Sequence, residues 1–169
     1  SDVYKRQILT KYEKFPVKDL LHTFVIHIAL KISSQFPSEG KILVTGGLGY
    51  IGSHTVIELS KKFEILIVDN LINSELSNLN RIKKLSVNNI QFENVDLSQK
   101  EEVSELFTKY TNIHTIFHFA ALKSVSESVE KPKKYHDNNV FSVQNIVNEI
   151  KKRKLTIDFI FSSSCTVYG

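Results

Sequence analysis

Residues 41–52 have the sequence Lys41-Ile42-Leu43-Val44-Thr45-Gly46-Gly47-Leu48-Gly49-Tyr50-Ile51-Gly52, and this stretch decides the fold. Its apolar first half favours a β-strand, and residues 53–61 after it have a helical pattern. Between them, Gly46 permits a tight turn, Gly49 lets the backbone approach a pyrophosphate, and Gly52 lets the helix pack closely on the strand. The unpaired N–H groups of the first helical turn then face a bound anion. The stretch therefore predicts a phosphate-binding turn.

A second apolar run indicates that the ligand of this turn is a dinucleotide. Residues 65–68 end in Asp69, about twenty residues beyond the glycines, where a carboxylate accepts hydrogen bonds from an adenosine ribose. A carboxylate there repels a 2′-phosphate, so the sequence favours NAD over NADP as the cofactor. The competing Walker phosphate motif fails, because Ser53 stands where its lysine should be.

Composition indicates a soluble globular protein of one domain's length. The 169 residues are 41% hydrophobic and 24% charged, with a formal net charge of +4. The most basic run, residues 151–154, falls where a helix is expected to end, and cations complement the helix dipole there. We therefore expect no nucleic-acid partner. The single cysteine excludes an internal disulfide, and with no secretory signal recognised we expect a cytoplasmic protein.

Residues 1–39 stand apart from the pattern that follows. Within them, residues 19–36 carry an apolar stripe at helical spacing that is too short and too polar to span a bilayer. We interpret residues 1–39 as an extension of unknown role with one amphipathic helix, residues 40–169 as the dinucleotide-binding domain, and we expect no membrane partner. The sequence contains no methionine and stops directly after a predicted strand and turn, so we expect a piece of a longer protein.

Predicted strands and helices alternate from Lys41 onward. The strands are residues 42–45, 65–68, 90–94, 114–119 and 157–161, and the helices lie at about 51–61, 75–85, 98–110, 124–130 and 134–152. Ser98 is placed to cap the third helix, and Glu101 completes a capping box. Near-continuous apolar strands between helices are typical of a parallel sheet covered on both faces. The sequence therefore predicts a three-layer α/β fold with a doubly wound parallel sheet, the Rossmann fold, truncated before any substrate domain.

Ligands of such sheets lie outside the carboxyl ends of the strands. The candidate site is therefore formed by the residues that follow each strand, which are 46–52, 69–70, 96–97, 119–121 and 162–164.

At these strand ends the chain resembles the UDP-glucose 4-epimerases, a family of extended short-chain dehydrogenase/reductases. The matching stretches are VTGGLGYIGSHT (44–55), VDNLINS (68–74), Asp96-Leu97, FHFAALKSVSES (117–128), YHDNNV (135–140) and FIFSSSCTVYG (159–169). They include none of residues 1–39. The fourth and sixth stretches are the most specific to the epimerases, and together the stretches resemble the N-terminal part of such a protein.

The resemblance implies roles for individual residues. Those expected to hold the cofactor are Gly46, Gly49, Tyr50, Ile51 and Gly52 at the pyrophosphate, Asp69, Asn70, Asn73 and Ser74 at the adenosine ribose and its phosphate, and Asp96 and Leu97 at the adenine. Those expected toward the nicotinamide are Phe119, Ala120, Ala121, Lys123 and Ser162, with Asn139 at the cofactor phosphates. Ser164 matches the active-site hydroxyl that bonds the 4-OH of the sugar. The implied cofactor is NAD, and no metal is implied.

The activity implied by the resemblance is epimerisation at C4 of a UDP-hexose, as in galactose metabolism, by transient oxidation to the 4-keto sugar. The base of that family is a tyrosine whose pKa is lowered by a lysine four residues later. None of the six tyrosines in this sequence has a lysine at that spacing. We therefore expect the chain to be inactive alone. The base, the substrate domain and, by analogy, a homodimer interface are expected in the rest of the protein.

Two alternatives to an epimerase remain open. A nucleotide-sugar 4,6-dehydratase of the same superfamily has an Asp-Glu pair after its active-site hydroxyl, where this chain has Cys165-Thr166. A non-catalytic NAD-binding module accounts for the missing base and lysine. The sequence also departs from the epimerase pattern at Phe141-Ser142-Val143, where Asn-Gly-Thr is usual. The missing glycine matters if that helix packs closely on the sheet.

Two other candidate features have structural interpretations. His114 and His118 are four residues apart, which on a strand separates them by about 13 Å, so we expect no zinc pair. Cys165 adjoins the active-site serines but has no obvious base partner, and we interpret it as a small buried hydrophobic residue.

Overall fold

The computed structural model describes residues 40–163, together with the isolated residues Thr23, His27 and Lys31. Apart from those three residues, the helix predicted within residues 19–36 lies outside the described part of the chain, and so does Ser164. No helix in the described part has the length and apolar character needed to cross a membrane.

Strands and helices alternate along residues 41–161, as predicted. The strands are β1 (Lys41–Thr45), β2 (Glu64–Asp69), β3 (Ile90–Asn94), β4 (Ile113–His118) and β5 (Asp158–Phe161). The helices are α1 (Tyr50–Leu59), α2 (Ser77–Leu85), α3 (Lys100–Lys109), α4 (Val125–Glu130), α5 (Pro132–His136) and α6 (Ser142–Lys152). A π-helical turn, Asp137–Phe141, lies between α5 and α6.

The sheet is parallel throughout, in the order β3-β2-β1-β4-β5. This order, with helical crossovers between the strands, is the doubly wound arrangement that the alternating pattern predicted, and the prediction is confirmed. Successive strands extend away from β1 in both directions, so the loops after β1 and β4 diverge. The resulting crevice at the carboxyl ends of these two strands is where a ligand is expected.

Both faces of the sheet are buried because side chains alternate along each strand. Ile42 and Val44 of β1 pack in a core with Val56 and Leu59 of α1. Leu43, between them on β1, packs in a second core on the opposite face. That second core includes Val103, Leu106 and Phe107 of α3 and Ile146 of α6. The two cores hold the helices in fixed positions relative to the strand ends.

The predicted capping box at the start of α3 is wrong. The helix begins at Lys100, its N-cap residue is Gln99, and no side chain caps it. The hydroxyl of Ser98 donates to a carboxylate oxygen of Asp96 instead (2.8 Å). Glu102, rather than Glu101, reaches back and accepts a hydrogen bond from the backbone N–H of Asp96 (2.7 Å). The side chains of this loop therefore order the end of β3 more than the start of the helix.

The helix predicted over residues 134–152 is interrupted by the π-helical turn. Such turns widen the helix by an extra residue and occur often at functional sites. Asn139 within the turn bonds back to the loop after β4 through its side-chain amide. In a regular α-helix the side chain of Asn139 would point in another direction. The π-helical turn therefore permits this tertiary contact.

Arg153 joins the end of α6 to the end of α3. Its guanidinium donates to the carbonyl oxygens of Ser104 (2.9 Å) and Phe107 (3.3 Å), and to the carboxylate of Glu149 (2.7 Å). Glu149 is only 3% exposed, and burial by itself would raise the pKa of its carboxyl. Hydrogen bonds from Arg153 and Lys152 outweigh burial and hold that pKa below the ordinary value. The basic run thus marks the end of a helix, as predicted, but one member also braces two helices.

We expect Arg153→Ala to destabilise the chain by roughly 2 kcal/mol, because it leaves a buried carboxylate short of a partner and removes the guanidinium's hydrogen bonds to two carbonyls of α3. Urea unfolding of the full chain measures this difference. Lys151→Ala is the matched control, since Lys151 is exposed on the same turn and should change stability by less than about 0.5 kcal/mol. Equal unfolding midpoints for the two variants would contradict the role of Arg153 in joining α6 to α3.

Candidate functional site

The glycine turn after β1 has the geometry of an anion cradle. Gly46 adopts a left-handed conformation (φ +64°), and its carbonyl accepts a hydrogen bond from the Gly49 N–H (3.1 Å). Gly49 is the N-cap residue of α1 and has no side chain to offer to the helix's first N–H groups. A Cβ on Gly52 would lie 2.2 Å from the Gly46 oxygen, so only glycine lets α1 approach the turn this closely. The first-turn N–H groups are thereby left available to a ligand.

Asp69 links this turn to the loop after β2. One carboxylate oxygen accepts from the backbone N–H of Leu48 (3.1 Å), and the other accepts from the N–H of Leu71 (3.0 Å) and the hydroxyl of Ser74 (2.7 Å). Asp69 is 8% exposed. A carboxylate has about four acceptor positions, so these three bonds leave one for a ligand hydroxyl.

The loop after β3 presents a second carboxylate. Both the backbone N–H and the hydroxyl of Ser98 donate to Oδ1 of Asp96 (2.9 and 2.8 Å). The next residue, Leu97, is buried in the core on the α3 side of the sheet. The loop is thus ordered by its own hydrogen bonds and by an apolar anchor, with Asp96 at the surface of the site.

The loops after β1 and β4 are joined by a buried polar pair. The hydroxyl of Thr45 lies 2.9 Å from Nδ1 of His118 and accepts a hydrogen bond from the Ala120 N–H (3.3 Å). The imidazole of His118 stacks against the rings of Phe159 and Phe161, with 5.8 Å between ring centroids in each pair. Burial lowers the pKa of His118 to about 4, so the ring is neutral at neutral pH. The spacing of His114 and His118 bears only on metal binding, and no local sequence pattern indicates this pairing.

The loop after β4 is also fixed from the side of α5 and the π-helical turn. The amide of Asn139 accepts from the Leu122 N–H (2.8 Å) and donates to the Leu122 carbonyl (2.9 Å). The hydroxyl of Tyr135 accepts from the Ser124 N–H (3.1 Å) and donates to Glu127 (3.0 Å). Hydrogen bonds from Lys134 and Tyr135 lower the pKa of Glu127 to about 2. The segment between Leu122 and Ser124 is therefore held at both ends.

A groove runs along these strand ends and brings many of the predicted residues together. Those on its wall are Gly49, Asp69, Asn70, Asn73, Ser74, Asp96, Leu97, Ala120 and Ala121. They come from the loops after four different strands, and the groove is continuous from the glycine turn to the loop after β3. The groove therefore has carboxylates, side-chain amides and a hydroxyl on its wall, and Gly49 at the N-terminus of α1.

Within the described part of the chain, the structure does not place the other predicted residues on the groove wall. Gly46 and Gly52 form the turn beneath it, and Tyr50 and Ile51 are exposed in the first turn of α1. Phe119 packs against the core, and the amide of Asn139 is engaged with Leu122. Lys123 and Ser162 are exposed, and the N–H of Ser162 donates to the carbonyl of His118 (3.3 Å). The structure thus places Asn139 so that it can support the groove wall through the loop after β4.

Seven residues on the groove wall are not among those predicted from the sequence: Val68, Ile72, Val95, Ser98, Leu122, Asn138 and Ser142. Asn138 and Ser142 line it from the π-helical turn and the start of α6. A continuous helix over 134–152 gave no reason to expect them there, although Asn138 lies inside the YHDNNV stretch. Ser142 stands where the resembled family usually has glycine, and the structure accommodates it at 3% exposure.

Comparisons with known proteins agree with this geometry. A family model described as GDP-mannose 4,6 dehydratase matches residues 43–169. The UDP-glucose 4-epimerase uge1 of Schizosaccharomyces pombe is 46% identical over 132 residues, which are 78% of this chain and 37% of that protein. The UDP-glucose 4-epimerase of Haemophilus influenzae is 43% identical over 76% of this chain and 38% of its own length. The chain therefore spans well under half the length of these relatives.

Among solved structures, two UDP-glucose 4-epimerases superimpose on the chain. The enzyme from Bifidobacterium longum in complex with NAD+ and UDP has a TM-score of 0.71 and 39% identity, covering 76% of this chain and 38% of that one. The enzyme from Stenotrophomonas maltophila with bound NAD and formylated UDP-arabinopyranose has a TM-score of 0.71 and 36% identity, covering 78% and 39% of the two chains.

Proposed function

The chain belongs to the family described as GDP-mannose 4,6 dehydratase, and from this premise we propose that it is the NAD-binding, N-terminal part of a UDP-glucose 4-epimerase. One observation carries the proposal. The glycine turn and Asp69 lie at the same groove, and the Leu48 N–H of that turn donates a hydrogen bond to the Asp69 carboxylate. The 42–46% identity to proteins named UDP-glucose 4-epimerase supports the assignment of the parent enzyme.

The residues present fit a dinucleotide. The turn at Gly46–Gly52 and the first N–H groups of α1 would hold the pyrophosphate, because they form a concave cluster of donors at a positive helix end. Asp69 and Asn73 would hold the adenosine ribose, and Asp96 with Leu97 the adenine. Ala120 and Ala121 would line the path toward the nicotinamide. Their small side chains keep the groove open beside the glycine turn.

When bound, NAD supplies the transient oxidation of the sugar at C4 and its reduction from the opposite face. The chain's own residues bind and orient the cofactor. The proposed active-site hydroxyl is Ser164, and no tyrosine of the sequence has a lysine four residues later. We therefore propose cofactor binding as the activity of this chain itself and epimerisation of a UDP-hexose as the activity of the longer protein. A cytoplasmic location, a role in galactose metabolism and a homodimer belong to the same proposal.

The alternative function within the family is that of a nucleotide-sugar 4,6-dehydratase, which the description of the family model favours. The sequence at Cys165-Thr166 opposes it, because neither residue is the acid that a dehydratase carries after its active-site hydroxyl. The relatives with the identities given above are named as epimerases, which favours the epimerase. A non-catalytic NAD-binding module remains the alternative from outside the enzymes.

Calorimetric titration of the full chain with NAD and NADP tests the proposal. We expect NAD to bind more tightly than NADP. Asp69→Ala should weaken NAD binding by roughly tenfold to a hundredfold. The substitution removes a charge-assisted hydrogen bond to the ribose and the hydrogen bond that holds the Leu48 N–H, which is here called the Leu48 tether. Asp69→Asn should keep part of the tether while it removes the charge that disfavours a 2′-phosphate. It should therefore narrow the preference for NAD over NADP.

Asp158→Ala is the matched control, because Asp158 is an exposed aspartate at the start of β5, at the opposite end of the strands. It makes the same change in net charge and should leave both affinities unchanged. A folded wild-type chain that binds neither dinucleotide would contradict the proposal. An Asp69→Asn variant with the wild-type preference would contradict the role of the Asp69 charge.

A further inference from the structure

The loop after β3, residues 95–98, is clamped from two helices that lie outside the glycine motif. From α3, Glu102 accepts a hydrogen bond from the Asp96 N–H (2.7 Å). From α6, the side-chain amide of Asn145 donates to the carbonyls of Leu97 and Ser98, both at 3.0 Å. The loop therefore has little freedom to move relative to either helix.

Asn145 is well suited to act as a clamp. Its amide nitrogen carries two hydrogens, one for each carbonyl, and few other side chains deliver two donors from one atom to adjacent carbonyls. Its neighbour Ile146 is fully buried in the core, so the backbone of α6 is fixed at this point. Arg153 holds the far end of α6 to α3. The position of the amide is thus set by packing at both ends of the helix.

The clamp acts on the residue that faces the groove. Asp96 lies on the groove wall, and both bonds from Ser98 go to its Oδ1. Among the described residues, none donates to Oδ2. This oxygen can accept a hydrogen bond from an exocyclic amino group of a bound base and would repel a carbonyl oxygen at the same place. The loop's backbone determines where this oxygen lies.

We infer that Asn145 is a positioning residue for base selectivity. By holding the carbonyls of Leu97 and Ser98, it places the Asp96 carboxylate so that the site prefers a 6-amino purine to a 6-oxo purine. The inference rests on the proposed function, in which the groove binds a dinucleotide. Asn145 has this role through its hydrogen bonds to the backbone of the loop.

The probe is a pair of dinucleotides, NAD and nicotinamide hypoxanthine dinucleotide, which has an oxygen in place of the 6-amino group. Their affinities for the full 169-residue chain are measured by calorimetry. The wild-type chain should prefer NAD by at least about tenfold, the value of one charge-assisted hydrogen bond. Asn145→Ala should weaken NAD binding by roughly tenfold and bring the affinity ratio of the two ligands close to one. Asp96→Ala marks the ratio expected when selectivity is lost completely.

Asn148→Ala is the matched control, because Asn148 is exposed one turn further along α6. It should keep the wild-type ratio. A merely structural role for Asn145 would lower both affinities together and keep the ratio, and that result would overturn the inference. A wild-type chain that binds the two ligands equally would also overturn it. Binding of neither ligand by the folded wild type would contradict the proposed function itself, which makes the two failures distinguishable.

Discussion

Replacing Gly52 with alanine is expected to abolish dinucleotide binding and to destabilise the chain by about 3 kcal/mol. The added Cβ would lie 2.2 Å from the Gly46 oxygen and 2.8 Å from the Gly47 Cα. Both are backbone atoms of the glycine turn, so the clash is relieved only if α1 or the turn moves. Alanine also gains about 1 kcal/mol of helix propensity over glycine, but this gain is smaller than the cost of the clash.

Two neighbouring variants make the Gly52 experiment specific. At Gly49 an added Cβ would lie 3.2 Å from the Gly46 oxygen, and the backbone is in an ordinary extended conformation. Gly49→Ala should therefore fold with modest loss of stability yet bind NAD more weakly, since its methyl group enters the groove wall. Ser53→Ala removes only a hydroxyl bond to the Tyr50 carbonyl and should behave like the wild type. Wild-type stability and wild-type NAD affinity for Gly52→Ala would contradict the packing argument.

The second large effect is a loss of stability in mild acid caused by His118. Burial lowers the pKa of this imidazole from its ordinary value of 6.5 to about 4 in the folded chain. Between these two values the unfolded chain binds a proton at His118 and the folded chain does not. Stability therefore falls as the pH is lowered from 6.5 to 4. Above pH 6.5 the protonation of His118 causes no loss of stability. Below pH 4 the loss reaches roughly 3 kcal/mol.

Urea unfolding at several pH values between 7 and 4 measures this slope. His118→Asn keeps a polar atom near the Thr45 hydroxyl but does not titrate in this range, so the variant should lose less stability between pH 7 and pH 4 than the wild type. The carboxylates with lowered pKa values, such as Glu93 and Glu149, are common to both proteins and cancel in the comparison. Identical slopes for wild type and His118→Asn would contradict a buried, neutral His118.

Much of the fold could be predicted because its signals are local. Each strand begins and ends within one residue of its predicted limits, and the glycine spacing specifies a turn in which position 52 has no room for a Cβ. Asp69 was expected at the end of β2 from its distance to the glycines, and it lies on the groove wall. One prediction that failed, the capping box at Ser98, was also local. It failed because the Ser98 hydroxyl bonds to Asp96 and Glu102 reaches the Asp96 N–H.

The sequence by itself determined the order of the strands and helices, the glycine turn and the carboxylate at the end of β2. These follow from periodicity and from backbone conformations that depend on a few adjacent residues. Only the tertiary structure decided the partners of His118, Asn145 and Arg153. Each of these side chains bonds to a residue more than forty positions away, at Thr45, Leu97 and Phe107. No local pattern encodes such pairs, because their atoms meet only after both faces of the sheet have packed and fixed the helices.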